Sequence, residues 1–252
     1  KLIIRNGYDY LQFQKEKFRS SISIFFLQKL SNIIFRNSDK IIVTTELMLQ
    51  QFKEKYSLDK NLIELIPNYI DTDLFKRNLT KKRKKEILII GRLTKQKNYR
   101  QLFQIISNCK YDITIIGDGN HELYKQCAKD NYLNINFIKK IENSELTGYL
   151  NNASIYLIYS LYEGNPKTLL EAMSCETPII ASDVKGINSL IKHRFNGLLV
   201  KIGDPMINQY INDIMEEEID AVELGKNARK DIVKNNSLDT IISKLINLYY
   251  EF

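Results

Sequence analysis

Two glutamates stand close together in the segment YSLYEGNPKTLLEAMSCETPIIASDV, which covers residues 159–184. Seven residues separate Glu163 from Glu171. Asn165 and Pro166 lie between the two carboxylates, and both residue types favour the start of a helix. The spacing predicts Glu163 in a loop and Glu171 on the second turn of the helix that follows. The free N–H groups of such a helix start can bind an anion or a hydroxyl group, although an ordinary loop and helix with surface glutamates remains the alternative.

Two cations follow an earlier apolar segment, residues 87–90, which is a predicted strand. Gly91 and Arg92 come directly after it, and Lys97 follows a few positions later. In an open α/β sheet, the loops at the carboxyl ends of the strands form the binding crevice. Arginine binds a diphosphate through two parallel hydrogen bonds, whereas lysine acts as a point charge. Arg92 and Lys97 are therefore candidate ligands for a diphosphate group.

Strand and helix patterns alternate along the whole chain, which predicts βαβ units and a parallel sheet. The predicted strands cover residues 2–5, 41–44, 62–66, 87–90, 113–116, 135–138, 155–158, 179–181 and 198–200. The predicted helices cover residues 14–36, 46–55, 99–107, 122–129, 145–150, 167–174, 206–215, 221–233 and 238–250. The continuous Ile, Leu and Val character of the strands suits burial on both faces, so the predicted fold class is α/β.

Composition excludes several classes of protein. A chain of 252 residues with 44% hydrophobic and 27% charged residues is ordinary for one large or two small globular domains. No window approaches 18 unbroken apolar residues, so no transmembrane helix is predicted. Three cysteines without ligand spacing and two histidines indicate no zinc site. Free thiols suit a reducing cytoplasm, and the predicted location is cytoplasmic.

Charge is distributed unevenly along the chain. Residues 1–100 carry a net charge of +12, and residues 101–252 carry −5. A basic half indicates a polyanionic neighbour, such as anionic lipid, a phosphorylated glycan or nucleic acid. The predicted helix at residues 14–36 is basic and has an apolar face, which predicts a peripheral contact with an anionic membrane. A solvated basic surface without a partner is the alternative.

The residues around the two glutamates resemble the signature of retaining nucleotide-sugar glycosyltransferases of family four, the group-one glycosyltransferases. The matching residues are Glu163, Gly164, Pro166, Leu170, Glu171, Ala172, Met173 and Pro178. The chain departs from the signature at Asn165 and at Cys175-Glu176. Further segments that resemble the family occur in its order at residues 66–75, 87–98, 113–119 and 196–200. The resemblance covers roughly residues 38–250.

This resemblance implies the two-domain GT-B architecture and a role for each matching residue. Arg92 and Lys97 would hold the donor diphosphate, Glu171 the ribose hydroxyls, and Glu163 would lie near the transferred sugar. The implied catalytic residues are Glu163, Arg92 and Lys97. The implied donor-binding residues are Gly91, Arg92, Lys97, Gly119, Gly164, Asn165, Pro166, Thr168, Leu169 and Glu171. No metal ion or cofactor is expected, because the two cations take that place and the Asp71-Thr72-Asp73 run lies in the segment that resembles the family linker.

The same resemblance divides the chain. Residues 1–75 are expected to be the last part of an acceptor-side α/β domain, and residues 76–85 a linker. Residues 86–235 are expected to form a complete Rossmann-like donor-binding domain, and residues 236–252 a helix that crosses back to the first domain. The chain begins with Lys1 and then at once a strand pattern, so an N-terminal truncation is expected.

The implied activity is sugar transfer, with retention, from a UDP- or GDP-linked donor to a glycan or glycolipid acceptor. Cell-envelope polysaccharide or lipopolysaccharide-type synthesis is the implied setting. One alternative is a module that binds a nucleotide sugar without catalysis. A basic nucleic-acid-binding protein is a weaker alternative, since the sequence has no recognisable motif for it. The loop at residues 5–9 is predicted to be a tight turn, and it receives no catalytic role.

Overall fold

The computed structural model describes residues 1–6, 21–56 and 58–250. It divides the chain into two compact units, Lys1–Asn68 with Ile241–Phe252, and Tyr69–Thr240. Residues 7–9 of the predicted turn and residues 14–20 of the first predicted helix lie outside the described residues. No helix in the described part of the chain is both long enough and apolar enough to cross a bilayer.

The first unit is built on a parallel sheet of three strands in the order β1-β2-β3. The strands are β1 (Ile3–Asn6), β2 (Lys40–Val43) and β3 (Ile63–Leu65), and the helices are α1 (Ser21–Arg36) and α2 (Glu46–Tyr56). The last helix of the chain, α9 (Leu238–Tyr250), packs Ile241 and Leu248 against Ile42 and Ile66 of this unit. The C-terminal helix therefore belongs to the core of the first unit.

The second unit contains a parallel six-stranded sheet in the order β6-β5-β4-β7-β8-β9. Its strands are β4 (Lys84–Ile90), β5 (Asp112–Ile116), β6 (Ile135–Ile138), β7 (Ala153–Ile158), β8 (Ile179–Ser182) and β9 (Leu198–Val200). Its helices are α3 (Tyr99–Ile105), α4 (His121–Asp130), α5 (Leu146–Asn152), α6 (Lys167–Ser174), α7 (Met206–Met215) and α8 (Ala221–Asn236). The prediction of an α/β fold with parallel sheets is confirmed.

The central strand β4 shows why the sheet is buried on both faces. Ile87 and Ile89 pack into one apolar cluster, and Leu88 and Ile90 pack into another. Successive side chains of a strand point to opposite faces, so an unbroken apolar run requires helices on both sides. Because all strands run in parallel, their carboxyl ends meet at one edge. The loops that follow β4, β5 and β7 carry the candidate residues to that edge.

The segment expected to be a linker, residues 76–85, is attached to the second unit. Arg83 donates hydrogen bonds to the carbonyl groups of Leu150, Ala153, Cys175 and Glu176, which lie near the ends of α5 and α6. Helix ends leave such carbonyls without partners, and the guanidinium supplies five donors. Burial lowers the pKa of Arg83 to about 10. Strand β4 already begins at Lys84, and the unit boundary lies after Asn68 instead of residue 75.

Candidate active site

Lys97 and Glu163 come together from two different loops. Lys97 ends a short 3-10 turn after β4, and Glu163 lies in the loop after β7. The distance from Lys97 Nζ to Glu163 Oε1 is 2.5 Å, and their side chains are 17% and 9% exposed. Ser160 Oγ donates a second hydrogen bond to the same carboxylate oxygen at 2.6 Å. The loops thus present an ion pair that is mostly withdrawn from water.

Gly91 makes room for this ion pair. A Cβ atom at Gly91 would lie 2.9 Å from Cε of Lys97, so the lysine side chain runs directly over the glycine backbone. The buried Tyr99 holds the same backbone in place, because its hydroxyl donates to the Gly91 carbonyl oxygen at 2.8 Å. Burial raises the pKa of Tyr99, so the hydroxyl stays protonated and remains a donor. Gly91 therefore has a defined role in positioning Lys97.

Arg92 and Gly119 lie on neighbouring loops at the same edge. Arg92 is exposed, and among the described residues its guanidinium has no ion-pair partner. Gly119 has a φ of +143°, and a Cβ there would lie 2.5 Å from Cβ of Leu93. Leu93 N–H also donates to the Asp118 carbonyl oxygen at 2.7 Å. Gly119 thereby lets the loop after β5 pack closely against the loop that carries Arg92.

The start of α6 coincides with the predicted one, but the residue that caps it does not. The helix begins at Lys167, and its N-cap is Pro166, not Asn165. Asn165 is buried immediately before the cap, and no side chain caps the helix. In the described part of the chain, the N–H groups of Lys167 and Thr168 have no hydrogen-bond partner. Unpaired N–H groups at a helix start suit an anion or a hydroxyl group.

The loop that precedes α6 is packed against a glycine that sequence reasoning missed. Gly186 has a φ of +88°, and a Cβ there would lie 2.2 Å from the Glu163 carbonyl oxygen. The same Cβ would lie 2.4 Å from the carbonyl oxygen of Gly164. Only glycine fits this contact without moving the loop. The Asp183-Val-Lys-Gly186 run after a strand is the signal that could have indicated a tight turn here.

Glu171 lies on the second turn of α6, as predicted, and is almost completely buried, with 1% of its surface exposed. Asn143 Nδ2 donates to Glu171 Oε1 at 2.9 Å. The other oxygen, Oε2, is buried and has no hydrogen-bond partner among the described residues. Burial raises the pKa of this carboxyl group, while the Asn143 hydrogen bond and the charge of Lys167 oppose the rise. An unpaired buried carboxylate oxygen is costly unless a ligand satisfies it.

Thr168 and Leu169 are two further predicted donor-binding residues, and the fold uses their side chains for internal contacts. The Thr168 Oγ1 atom accepts a hydrogen bond from the hydroxyl of Tyr156 at 2.8 Å, and Tyr156 is fully buried. The Leu169 side chain is also fully buried, so only its backbone is available to a ligand. Thr168 is thereby held at the helix start, and Leu169 acts as a core residue of α6.

The described residues contain no group of three or more His, Cys, Asp or Glu side chains arranged to hold a metal ion. In the Asp71-Thr72-Asp73 run, the carboxylate of Asp71 accepts hydrogen bonds from the N–H groups of Asp73 and Leu74 at 3.0 and 2.9 Å. Asp71 thus closes a local turn. Arg92 and Lys97 bring two positive charges to this edge of the sheet, and that of Lys97 is paired with Glu163.

Comparison with protein families places the chain among known sequences. The family model described as "Glycosyl transferases group 1" matches residues 71–231. A galactosyltransferase of Escherichia coli, named UDP-Gal:alpha-D-GlcNAc-diphosphoundecaprenol alpha-1,3-galactosyltransferase, is 28% identical in an alignment that covers 87% of the chain and 59% of that protein. An N,N'-diacetylbacillosaminyl-diphospho-undecaprenol alpha-1,3-N-acetylgalactosaminyltransferase of Campylobacter jejuni is 26% identical over 77% of the chain and 52% of its own length. The chain thus spans between half and three fifths of these two relatives.

The fold of this chain is similar to that of solved structures of other proteins. HepE of Anabaena, in complex with UDP and glucose, superimposes with a TM-score of 0.85 at 16% identity, over 100% of this chain and 72% of its own. Sucrose-phosphate synthase of Thermosynechococcus elongatus gives a TM-score of 0.82 at 21% identity, over 99% and 67%. The GT-B architecture that the sequence predicted is confirmed by these likenesses.

Proposed function

The chain belongs to the glycosyl transferases group 1 family, and from this premise we propose that it binds the donor in a retaining glycosyltransferase. The donor is a UDP- or GDP-linked sugar, and the acceptor is a glycan or a glycolipid. The observation that carries the proposal is the buried Glu171 Oε2, which lacks a partner among the described residues. A ribose of the donor offers two hydroxyl donors to such an oxygen. The predicted role of Glu171 in ribose binding therefore explains a polar atom that the fold alone leaves unsatisfied.

The two cations supply the electrostatic part of catalysis. When the bond between sugar and phosphate breaks, negative charge accumulates on the leaving diphosphate. Arg92 and Lys97 are fixed positive charges on the loop after β4, and they stabilise that charge without rearrangement. The unpaired N–H groups of Lys167 and Thr168 add hydrogen-bond donors at the start of α6. Glu163, paired with Lys97 through Oε1, offers its other oxygen to a hydroxyl group of the sugar.

The acceptor class follows from the relatives. Both curated relatives are named for transfer to a sugar linked to diphospho-undecaprenol. We therefore propose a lipid-linked glycan as the acceptor and cell-envelope polysaccharide synthesis as the setting. We place this reaction in the cytoplasm, at the inner face of the membrane.

Calorimetry on the chain tests donor binding directly. UDP, GDP and ADP are titrated into the protein with and without excess EDTA. One of the diphosphates is expected to bind, and EDTA is expected to leave its affinity unchanged, because Arg92 and Lys97 replace a divalent cation. Loss of binding with EDTA would contradict the assignment of these two residues. No binding of any of the three would contradict the proposed function.

Helix α1 carries the proposed contact with the membrane. Its exposed large apolar residues are Phe25, Phe26, Leu30, Ile33 and Ile34. Lys29 stands among them with its ammonium 4.8 Å from the Phe25 ring centre, and Arg36 ends the helix. An apolar face flanked by cations binds the surface of an anionic bilayer. The apolar face predicted from the sequence also includes Phe18 and Ile22, whose side chains lie outside the described ones.

Sedimentation with vesicles tests this contact. Binding to phosphatidylglycerol-containing vesicles is expected, and it is expected to weaken as salt is raised. The double variant Phe26→Ser, Ile33→Ser should abolish binding. A matched double change on another exposed apolar pair, Val222→Ser and Val233→Ser on α8, should leave it intact. Equal loss in both variants, or no binding of the original chain, would contradict the assignment to α1.

A further inference from the structure

We propose that Ser160 and Gln96 are positioning residues that fix the Lys97–Glu163 pair before any ligand binds. This inference rests on the proposed function, because it assigns the orientation of a carboxylate that faces the donor sugar. Neither residue belongs to the set that the sequence identified. Both make their contacts with other groups of the chain itself.

Ser160 holds the carboxylate from the buried side. It lies two residues after β7, is fully buried, and donates to Glu163 Oε1 at 2.6 Å. Its own carbonyl oxygen accepts a hydrogen bond from Ser182 Oγ on β8 at 2.8 Å. Ser160 is therefore anchored to the neighbouring strand while its hydroxyl reaches the glutamate. A hydroxyl held in this way fixes the rotation of the carboxylate as well as its position.

The two donors reach the same oxygen. Lys97 Nζ and Ser160 Oγ both bind Glu163 Oε1, at 2.5 and 2.6 Å. Within the part of the chain that the structure describes, Oε2 of Glu163 has no hydrogen-bond partner. The carboxylate is thus divided into one oxygen that the protein uses and one that a ligand hydroxyl can use. Without Ser160, the carboxylate could turn about Lys97 and exchange the two oxygens.

Gln96 ties together the loops that carry the pair. Its carbonyl oxygen accepts a hydrogen bond from Leu161 N–H at 2.8 Å. Its side-chain amide donates to the carbonyl oxygen of Tyr162 at 2.9 Å. Gln96 directly precedes Lys97, and Tyr162 directly precedes Glu163, so the clamp lies one residue from each partner of the ion pair. The loops after β4 and β7 are therefore fixed to each other at the point where the charges meet.

Such support matters because a reacting group must be held close to its productive geometry. An electrostatic group that is already oriented costs no reorganisation when charge develops, and small displacements reduce the rate steeply. Loosening Glu163 should therefore affect the part of the donor that contacts it, which is the sugar. Loosening Gln96 should affect the diphosphate as well, because Lys97 moves with its loop.

The first test is independent of any ligand. The side-chain ammonium signal of Lys97 is followed by NMR in isotope-labelled protein and assigned with Lys97→Arg. Ser160→Ala is expected to shift or broaden this signal. The matched control is Ser174→Ala, since Ser174 is also fully buried and its hydroxyl donates to a backbone carbonyl, that of Phe75. An unchanged Lys97 signal in Ser160→Ala, or the same change in both variants, would overturn the proposal.

The second test uses UDP and UDP-glucose, or GDP and GDP-mannose if GDP is the diphosphate that binds. Ser160→Ala is expected to weaken the sugar nucleotide about tenfold, the loss of one hydrogen bond to a charged group, and to change the diphosphate much less. Ser160→Thr, which keeps the hydroxyl, should restore most of the difference, and Gln96→Ala should weaken both ligands. A ratio of affinities that Ser160→Ala leaves unchanged would reject the positioning role. Absence of diphosphate binding by the original chain would reject the proposed function and leave the NMR result standing.

Discussion

The two glutamates of the site differ in how the protein treats them. Glu163 has a cation and a hydroxyl on one oxygen, and its side chain keeps some contact with solvent. Glu171 is almost completely buried, has one amide donor on Oε1, and has nothing on Oε2 among the described residues. The first carboxylate is stabilised by the fold, whereas the second is kept at a cost to the fold. A buried charge that lacks hydrogen-bond partners indicates that a ligand binds there. A buried charge that has its partners indicates a side chain that the fold has already oriented.

The difference has a structural origin. Glu163 lies in a loop, where a neighbouring loop and a nearby strand end bring Lys97 and Ser160 to it. Glu171 lies in α6, and the two residues on each side of it, Leu169, Leu170, Ala172 and Met173, are core residues. A helix residue in that position has no freedom to turn toward another partner. The ligand must therefore come to the glutamate.

The largest effect on stability is expected from a change beside the loop that carries Glu163. Gly186→Ala places a Cβ against the Glu163 and Gly164 carbonyl oxygens and forces an alanine to a φ of +88°. Strain and overpacking together should lower the free energy of unfolding by about 2–4 kcal/mol. Binding of the sugar nucleotide should be lost with it, since the Glu163 loop must move. Chemical denaturation and calorimetry measure the two effects.

Gly148→Ala is the matched control for that change. Gly148 lies in helix α5, and a Cβ there meets nothing within 4 Å. Alanine is the better helix former, so this variant should gain about 0.5–1 kcal/mol of stability. The same glycine-to-alanine change should thus lower the free energy of unfolding at Gly186 and raise it at Gly148. Tolerance of alanine at Gly186 would show that the loop has another conformation available.

Glu163→Gln tests the satisfied carboxylate. Lys97 would lose its counter-charge while both side chains remain less than one fifth exposed. A hydrogen bond to a charged group contributes about 1.5–3 kcal/mol, and the free energy of unfolding should fall by about 2 kcal/mol. Lys97→Met should cost a similar amount, and the double variant should cost less than the sum, because the two residues interact directly. Additive losses in this cycle would contradict the ion pair.

In the absence of ligand, Glu171→Gln should change the free energy of unfolding in the opposite direction to Glu163→Gln. Removing a buried charge that lacks a full set of partners should raise the free energy of unfolding by about 1 kcal/mol. The same change should weaken diphosphate binding by about 1–3 kcal/mol, since a charged acceptor of ribose hydroxyls is lost. Thermal unfolding with and without UDP separates the two effects. A destabilised ligand-free variant would show that Oε2 has a partner in solution.

The sequence predicted the fold far better than the contacts of the site. Predicted limits of α6, α7, α9, β6 and β9 coincide with the observed ones, because apolar periodicity and helix signals are local. The prediction of Asn165 as the N-cap of α6 is wrong, because Pro166 takes that position and Asn165 is buried in the preceding loop. Local propensity does not determine which of two adjacent residues is buried.

The contacts that support the two glutamates could not be predicted from residue type alone. Ser160, Asn143 and Gly186 lie 3, 28 and 23 positions from the glutamates they contact or support. Serine, asparagine and glycine are common turn residues, so their type does not distinguish a loop from a supporting contact. Arg83 lies in the segment that is predicted to be a linker, yet the fold uses it to bind four carbonyl groups. Such roles depend on packing, which the pattern of residue types leaves open.

The dependence of stability on pH should reveal the raised pKa of the buried Glu171. Burial raises the pKa of Glu171 in the folded chain above its ordinary value in the unfolded chain. Between these two values the folded state binds more protons than the unfolded state, so stability falls as the pH rises through that range. Glu171→Gln removes this dependence, so its stability advantage over the original chain should grow as the pH rises from the ordinary to the raised pKa and be complete above it. Equal pH profiles of the two proteins would show that the carboxyl group has an ordinary pKa.

The smallest expected effect concerns Asn143, which supports Glu171 from outside. Asn143→Ala removes the one amide donor to Oε1, and that donor opposes the rise of the Glu171 pKa. Diphosphate affinity at neutral pH should fall by about 0.5–1.5 kcal/mol, and affinity should begin to fall at a higher pH than in the original chain. The matched control is Asn134→Ala, which removes another asparagine–carboxylate hydrogen bond, the one to Asp112 at 2.7 Å on the surface of the same unit. Calorimetry across the pH range distinguishes the two, because only Asn143 bears on the buried carboxylate. If both variants behave alike, Glu171 holds its orientation through the helix alone, and the contrast between a supported and an unsupported glutamate becomes sharper still.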